Sequence, residues 1–220
     1  FLQSWSVPYL IALILILNLF YKIEWIDPRN KAYGLNYSNK DERPSYSRDK
    51  IIELCSPENI EADKQNMIRI LENWKQKQNE AKPLLVLITT SGGGNRSAAF
   101  TMNALQKIDS ITHGELMKKT FLITGASGGM LSATYFRELY LQKQKGNNIN
   151  LRDHKYVDQI SGDLLNPMFS SFVARDLIAP AQKFKVGPYA YVKDRGYAFE
   201  KKLGDNTEGC LDKHLKDYKL

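Results

Sequence analysis

Residues that bind metals or form disulfides are scarce in this chain. Its 220 residues include two cysteines and three histidines, with no C-x-x-C pair or cysteine–histidine cluster. Cys55 and Cys210 lie far apart in the sequence, which favours two unrelated thiols and leaves the redox compartment open. The sequence therefore predicts neither a metal site nor a required cofactor.

Recognisable nucleic-acid-binding motifs and internal repeats are also missing, although the chain is basic. Lys and Arg number 31 against 24 Asp and Glu, which gives a net charge of +7 spread over many segments. Such a charge is compatible with an anionic membrane surface or with nucleic acid as partner. Because no nucleic-acid motif accompanies it, we expect a lipid partner and no nucleic acid.

Charged side chains are absent from the first 21 positions. Residues 7–21 read VPYLIALILILNLFY, with Trp5 before them and Trp25 after them. A spanning helix needs about 20 mainly apolar residues, and flanking tryptophans are typical of membrane interfaces. Residues 1–26 are therefore predicted to be a transmembrane helix, with a buried core helix as the alternative. Basic residues on its C-terminal flank favour a membrane-anchored domain on the cytoplasmic side: Lys22, Arg29 and Lys31.

The remaining length allows one α/β domain. Residues 27–56 are rich in Tyr, Asn, Arg, Lys and Pro with little periodicity, which predicts a linker. Ser56 followed by Pro57 is a helix-start signal, so the domain is assigned to residues 57–220. Because the chain begins with Phe1 and has no evident stop signal at its end, we expect this domain to be incomplete.

Two short apolar runs each precede a glycine-rich turn and a helical segment. Residues 84–89 (LLVLIT) and 120–124 (TFLIT) have the continuous apolar character of strands covered on both faces. Helices are predicted over residues 97–108 and 130–145, with further helices near 157–165 and from 197. The β-α-β-α order requires parallel strands with right-handed crossovers, so the fold class is α/β with a parallel sheet.

The turn after the second strand has the G-x-S-x-G pattern of a nucleophile elbow. Gly125-Ala126-Ser127-Gly128-Gly129 lies between a predicted strand and a predicted helix, the context in which this pattern has meaning. Small neighbours allow a turn tight enough to hold the Ser127 hydroxyl near the N-terminus of the following helix. There, backbone N–H groups and the helix dipole favour developing negative charge.

The turn after the first strand is suited to supply the oxyanion donors that acyl transfer also requires. Gly92, Gly93 and Gly94 carry no Cβ, so their amides can approach a ligand closely. In a parallel sheet both turns leave at the same edge, where open α/β sheets bind ligands. The alternative is a glycine turn that only eases helix packing.

Together the two turns resemble those of the patatin-like phospholipase family. Ser91-Gly92-Gly93-Gly94-Asn95-Arg96-Ser97-Ala98 and Thr124-Gly125-Ala126-Ser127-Gly128-Gly129 match its two motifs, and residues 194–200 (DRGYAFE) are similar to a further segment. The resemblance implies a three-layer α/β domain and a serine lipid acyl hydrolase with a Ser-Asp dyad. Ser127 is then the nucleophile, Gly92 to Gly94 frame the oxyanion hole, and Arg96 anchors that turn. The implied substrate is a membrane lipid or another acyl ester.

The chain departs from the family pattern in two places. Ser97 stands where the family's glycine turn usually ends in another glycine, and the Asp-Gly pair that carries the family's aspartate occurs nowhere. The base is therefore expected beyond Leu220, or the enzyme is defective. The following aspartates come after Ser127, and none of them precedes a glycine: Asp153, Asp158, Asp163, Asp176, Asp194, Asp205 and Asp212.

Other interpretations stay open. His154 or His214 in a Ser-His-Asp arrangement has no supporting local motif. FLITGASGG also suits the glycine turn of a Rossmann-like nucleotide-binding oxidoreductase, but Leu131 occupies the position of its third glycine. A non-catalytic lipid-binding domain would keep the elbow and lack the base. Acyl length, headgroup and oligomeric state are not encoded in any recognisable pattern.

Overall fold

The computed structural model describes residues 2–20, 41, 45–178, 182–187 and 189–218. The chain divides into two compact units. One unit contains Phe1–Arg43 and Asp163–Lys202, and the other contains Pro44–Gly162 and Leu203–Leu220. Both candidate glycine turns belong to the second of these, here called the elbow unit.

The element order alternates between helices and short strands. The helices are α1 Leu2–Phe20, α2 Arg48–Leu54, α3 Pro57–Lys77, α4 Gly94–Ile111, α5 Leu116–Lys119, α6 Ser127–Gln144, α7 Lys155–Ile160, α8 Leu165–Ser171 and α9 Arg195–Asn206. A π-helix spans Phe172–Ile178 and a 3-10 helix spans Leu215–Tyr218. The strands are β1 Val86–Thr90, β2 Thr120–Gly125, β3 Lys183–Val186 and β4 Tyr189–Val192.

The apolar N-terminal segment, predicted to be a transmembrane helix over residues 1–26, forms α1. Among the described residues, no helix has both the length and the apolar character that crossing a membrane requires. The basic flank at Lys22, Arg29 and Lys31 lies outside the described residues.

The predicted parallel strands form a two-stranded sheet in the elbow unit. β1 and β2 pair in parallel, with Ile88 opposite Ile123 and Thr90 opposite Gly125. Strands that run in the same direction bring both following turns to one edge of the sheet. The structure is thus mixed α/β with a small parallel sheet, in agreement with the predicted fold class.

Helices cover one face of this sheet and form the core. α6 contacts both strands, and α4 packs along α6 and α7. Buried side chains of these helices fill the space between them, and the Ser132 hydroxyl donates a hydrogen bond of 2.6 Å to the carbonyl oxygen of Ala98. The principal core residues are Ala98, Met102, Leu105, Ala133, Tyr135, Phe136, Leu139, Tyr156, Val157 and Ile160.

The opposite face of the sheet is open. Leu87 and Leu122 are register partners, and they are 59% and 48% exposed. Parallel sheets normally have both faces covered. The sequence predicted both strands to be covered in this way, and in the described residues only one face is.

The other unit contains elements that the sequence analysis did not predict. β3 and β4 form an antiparallel hairpin, and a π-helix continues directly from α8. The helix predicted near residues 157–165 is interrupted: Asp163 Oδ1 accepts hydrogen bonds from the backbone N–H groups of Leu165 and Asn166 and thereby starts α8.

Candidate active site

Ser127 lies at a strand-to-helix elbow. β2 ends at Gly125, Ala126 is extended with φ −137°, and Ser127 begins α6 with φ 51°. The other non-glycine residues described with positive φ, namely Asn79, His113 and Glu208, follow the C-terminal ends of helices, where the left-handed conformation is common. Ser127 has it at the start of a helix, and its side chain is exposed.

The elbow tolerates only small neighbours, as the motif predicts. A Cβ atom at Gly125 would lie 2.0 Å from Thr90 Oγ1. A Cβ at Gly129 would lie 2.3 Å from the carbonyl oxygen of Ser91. Both distances are shorter than any real Cβ contact. Gly125 and Gly129 must therefore lack side chains if the elbow is to pack against β1 and the segment that follows β1.

The glycine turn after β1 lies against this elbow. A Cβ at Gly92 would be 3.2 Å from Ser127 Cβ and 3.9 Å from Ser127 Oγ. A Cβ at Gly128 would be 2.1 Å from the carbonyl oxygen of Gly94. Gly93 and Gly94 have φ values of 149° and 60°, a region that favours glycine. The two motifs predicted to act together are therefore adjacent in space.

Two helix N-termini meet at this point. The first intrahelical backbone bond of α6 runs from Met130 N to the carbonyl oxygen of Ala126, and that of α4 from Ser97 N to Gly93. Earlier N–H groups in each helix have no intrahelical acceptor. Because both dipoles place positive partial charge here, the site is suited to hold an oxyanion next to the serine hydroxyl.

The side chains of Asn95 and Ser97 hold the glycine turn. Ser97 Oγ donates to the carbonyl oxygen of Ser91 at 2.5 Å. Asn95 Nδ2 donates to the carbonyl oxygens of Ser161 and Gly162 at 3.5 and 3.3 Å, which ties the turn to the end of α7. Arg96 is exposed and contacts none of the motif residues in any described hydrogen bond or ion pair. Sequence reasoning missed Asn95, because nothing local reveals that the end of α7 meets α4.

Among the described residues, no side chain is placed to act as a general base for Ser127. Its hydroxyl makes no hydrogen bond to any of them. His113 follows the far end of α4, about 25 Å from Gly94 by helix length. His154 is also remote, because Gln106 Nε2 donates to the neighbouring Asp153 carbonyl at 2.8 Å, about 18 Å along α4. His154 instead pairs with Asp158 at 3.3 Å on the surface.

His214 lies near the opposite end of α6. Its neighbour Lys213 contacts the buried carboxylate of Glu138, about 16 Å along α6 from Ser127. Several aspartates act as local caps. The side chains of Asp153, Asp194 and Asp217 accept backbone N–H groups of Lys155, Tyr197 and His214.

No group of three or more potential ligands among His, Cys, Asp and Glu could hold a metal ion within the described ranges. Comparison of the chain with protein-family models, with curated proteins and with solved structures found no match.

Proposed function

We propose that the chain carries the nucleophile and oxyanion site of a serine hydrolase that cleaves acyl esters of lipids. The observation that carries this proposal is the left-handed backbone of Ser127 at a strand-to-helix elbow, with Gly92 packed against it. Backbone strain of this kind persists where the surrounding structure enforces it, and it is concentrated at active sites.

The proposed reaction proceeds through an acyl-enzyme. Ser127 Oγ attacks the ester carbonyl carbon, and the carbonyl oxygen takes the electron pair of its double bond as an oxyanion. N–H groups of the glycine turn and of the first turn of α6 donate to that oxyanion. The alcohol leaves with a proton, and water then hydrolyses the acyl-serine. The base that takes the serine proton comes from outside the described contacts of Ser127.

A lipid substrate is supported by the apolar helix α1. Its described large side chains, which include Trp5, Leu10 and Leu15, are between 49% and 70% exposed. We propose that this helix attaches the protein to a membrane. A variant that lacks residues 1–26 should leave the membrane fraction and retain its reactivity toward soluble probes, whereas aggregation of that variant would favour a buried helix instead.

We further propose that the domain has a three-layer, patatin-like architecture. Its support is the open sheet face, where Leu87 and Leu122 lack cover, together with the two glycine motifs that carry the resemblance. A second layer of helices on this face would give the arrangement that parallel sheets require.

A non-catalytic lipid-binding domain is the second candidate, because Ser127 has no hydrogen-bonded base among the described residues. The Rossmann-like alternative has no comparable support, and a titration with NADH that shows no binding would exclude it. A fluorophosphonate probe, which reacts covalently with activated serines, separates the first two candidates. Labelling above the background of Ser127→Ala supports the hydrolase. Equal labelling of both proteins, with no cleavage of p-nitrophenyl butyrate, favours the binding domain.

A further inference from the structure

An apolar stripe lies on α8 and the start of the π-helix. Leu165, Phe169, Phe172 and Val173 are 60%, 66%, 37% and 52% exposed. Their spacing of four, three and one residues places them on one helical face. Exposed apolar side chains that cluster in this way mark interaction surfaces, whereas single ones need no explanation.

Basic side chains surround the aromatic rings beside this stripe. The Arg195 guanidinium lies 5.4 Å from the centre of the Phe172 ring. Arg175 and Lys193 each lie 5.7 Å from the centre of the Tyr197 ring. These contacts link the end of the stripe to the start of α9, so the cations and the apolar residues form one surface, here called the basic-aromatic surface.

The segment of sequence that carries most of this surface is basic. Residues 172–195 contain five basic and two acidic side chains, and Asp194 is engaged as the cap of α9 through the N–H of Tyr197. In addition, Arg175 Nη1 is buried without a hydrogen-bond acceptor among the described residues. A buried guanidinium donor without an acceptor is costly. The Arg175 side chain as a whole is partly exposed, so its rotation toward a bound anion would give this donor an acceptor.

We propose that the basic-aromatic surface docks onto a bilayer that contains anionic phospholipid. Phe169 and Val173 enter the interface between headgroups and acyl chains, while Arg175 and Lys193 bind lipid phosphates. Apolar residues flanked by cations match the layered chemistry of such an interface. This inference uses neither Ser127 nor α1 and stands independently of the hydrolase proposal.

The test places a fluorophore on the stripe itself, so that attachment through α1 cannot mimic the result. The chain of 220 residues, with Cys55 and Cys210 replaced by serine, receives Phe169→Cys labelled with the polarity-sensitive dye NBD. With vesicles of phosphatidylcholine and 30% phosphatidylserine, we expect a blue-shifted, brighter emission that is lost in 0.5 M salt. The matched control is Phe100→Cys on α4, which is 74% exposed in the elbow unit and should not respond.

Charge variants test the phosphate contacts. Each basic residue near an anionic surface contributes about 1 kcal/mol to binding, so Arg175→Gln with Lys193→Gln should weaken the response of the position-169 probe about 30-fold in lipid concentration. Lys64→Gln with Lys77→Gln on α3 is the matched control and should leave that response unchanged.

Three results would overturn the proposal. One is a probe at position 169 that stays in water while the protein sediments with vesicles. Another is an equal response to pure phosphatidylcholine vesicles, which would remove the anionic lipid from the argument. The third is a concentration-dependent blue shift without lipid, which would assign the surface to a second copy of the chain.

Discussion

Ser127 has a backbone conformation that is unfavourable for an L-residue by about 1–2 kcal/mol. Its surroundings enforce it: Gly125 continues the pairing with Thr90, while Gly128, the second residue of α6, packs against Gly94. The backbone on both sides of Ser127 is thus fixed by close packing. The strain is the consequence of holding a hydroxyl at the meeting point of two helix N-termini.

This strain predicts a stability difference between two variants that both lose the hydroxyl. Ser127→Gly removes the penalty of positive φ, whereas Ser127→Ala keeps it. We expect the glycine variant to be more stable than the alanine variant by about 1 kcal/mol, measured by denaturant unfolding. Neither variant should react with a fluorophosphonate. A glycine variant less stable than the alanine variant would mean that Ser127 is not strained.

Among single substitutions at the site, we expect a change at Gly128 to lower the unfolding free energy most. A Cβ there would lie 2.1 Å from the carbonyl oxygen of Gly94, so Gly128→Ala must separate the two glycine turns. We expect a loss of about 3 kcal/mol in unfolding free energy. Gly204→Ala is the matched control, because nothing lies within 4 Å of a Cβ at that position of α9, and it should be neutral or slightly stabilising. Equal effects of the two substitutions would refute the close packing.

At the scale of elements, α4 carries the glycine turn and is fastened to α7 by one amide. Asn95→Ala removes the Nδ2 donor to the carbonyl oxygens of Ser161 and Gly162, and we expect a loss of about 1 kcal/mol with slower labelling of Ser127. Arg96→Ala should change neither the unfolding free energy nor the rate of Ser127 labelling, since the Arg96 side chain is exposed. A larger effect of Arg96→Ala than of Asn95→Ala would support Arg96 as the anchor that the family resemblance implies.

Glu138 joins α6 to the segment that follows α9. Its buried carboxylate accepts hydrogen bonds from Gln142 and Tyr218, both at 2.8 Å, and pairs with Lys213. Burial by itself would raise the pKa of Glu138, but the hydrogen bonds from Lys213, Gln142 and Tyr218 outweigh it and lower the pKa below its ordinary value. The folded state therefore favours the charged form.

The lowered pKa fixes the sign of a pH dependence. The stabilisation is complete above the unfolded pKa of about 4.3 and is lost as pH falls through the lower folded pKa. Glu138→Gln should cost about 3 kcal/mol at pH 7 by breaking a buried pair, and the difference from the unmodified chain should shrink toward pH 3. The exposed pair of Glu53 with Lys50 is the control, since Glu53→Gln should change stability by less than about 0.5 kcal/mol.

The elements around the elbow could be predicted because their signals are local. The apolar run before each glycine turn became β1 or β2 within about two residues, and the Ser56 cap began α3 as expected. The β3–β4 hairpin gave no comparable signal. β3 reads KFKV and β4 reads YAYV, each only four residues long, and the connection lacks an Asn-Gly or Asp-Gly turn. The tie from Asn95 to α7 was unpredictable because it joins residues more than 60 positions apart.

For the whole molecule, the sequence predicted the fold class but not the division into two units. Residues 163–202 belong with the N-terminal segment and not with the elbow unit, and no composition change marks the boundary at Gly162. Local patterns specify elements well, whereas unit boundaries depend on long-range contacts.

The whole chain also determines how reactive Ser127 can be. A serine hydroxyl is a weak nucleophile without a base in hydrogen-bond reach, and Ser127 has no such partner among the described residues. Loss of the base in comparable sites lowers turnover by about 10⁴ to 10⁶. We expect slow fluorophosphonate labelling that depends on Ser127. Because hydroxide must then remove the serine proton, the labelling rate should rise about tenfold per pH unit between pH 6 and 9. A rate that levels off with an apparent pKa between 5 and 8 would instead show that a base within these 220 residues acts on Ser127, and His→Asn and Asp→Asn variants would then identify it.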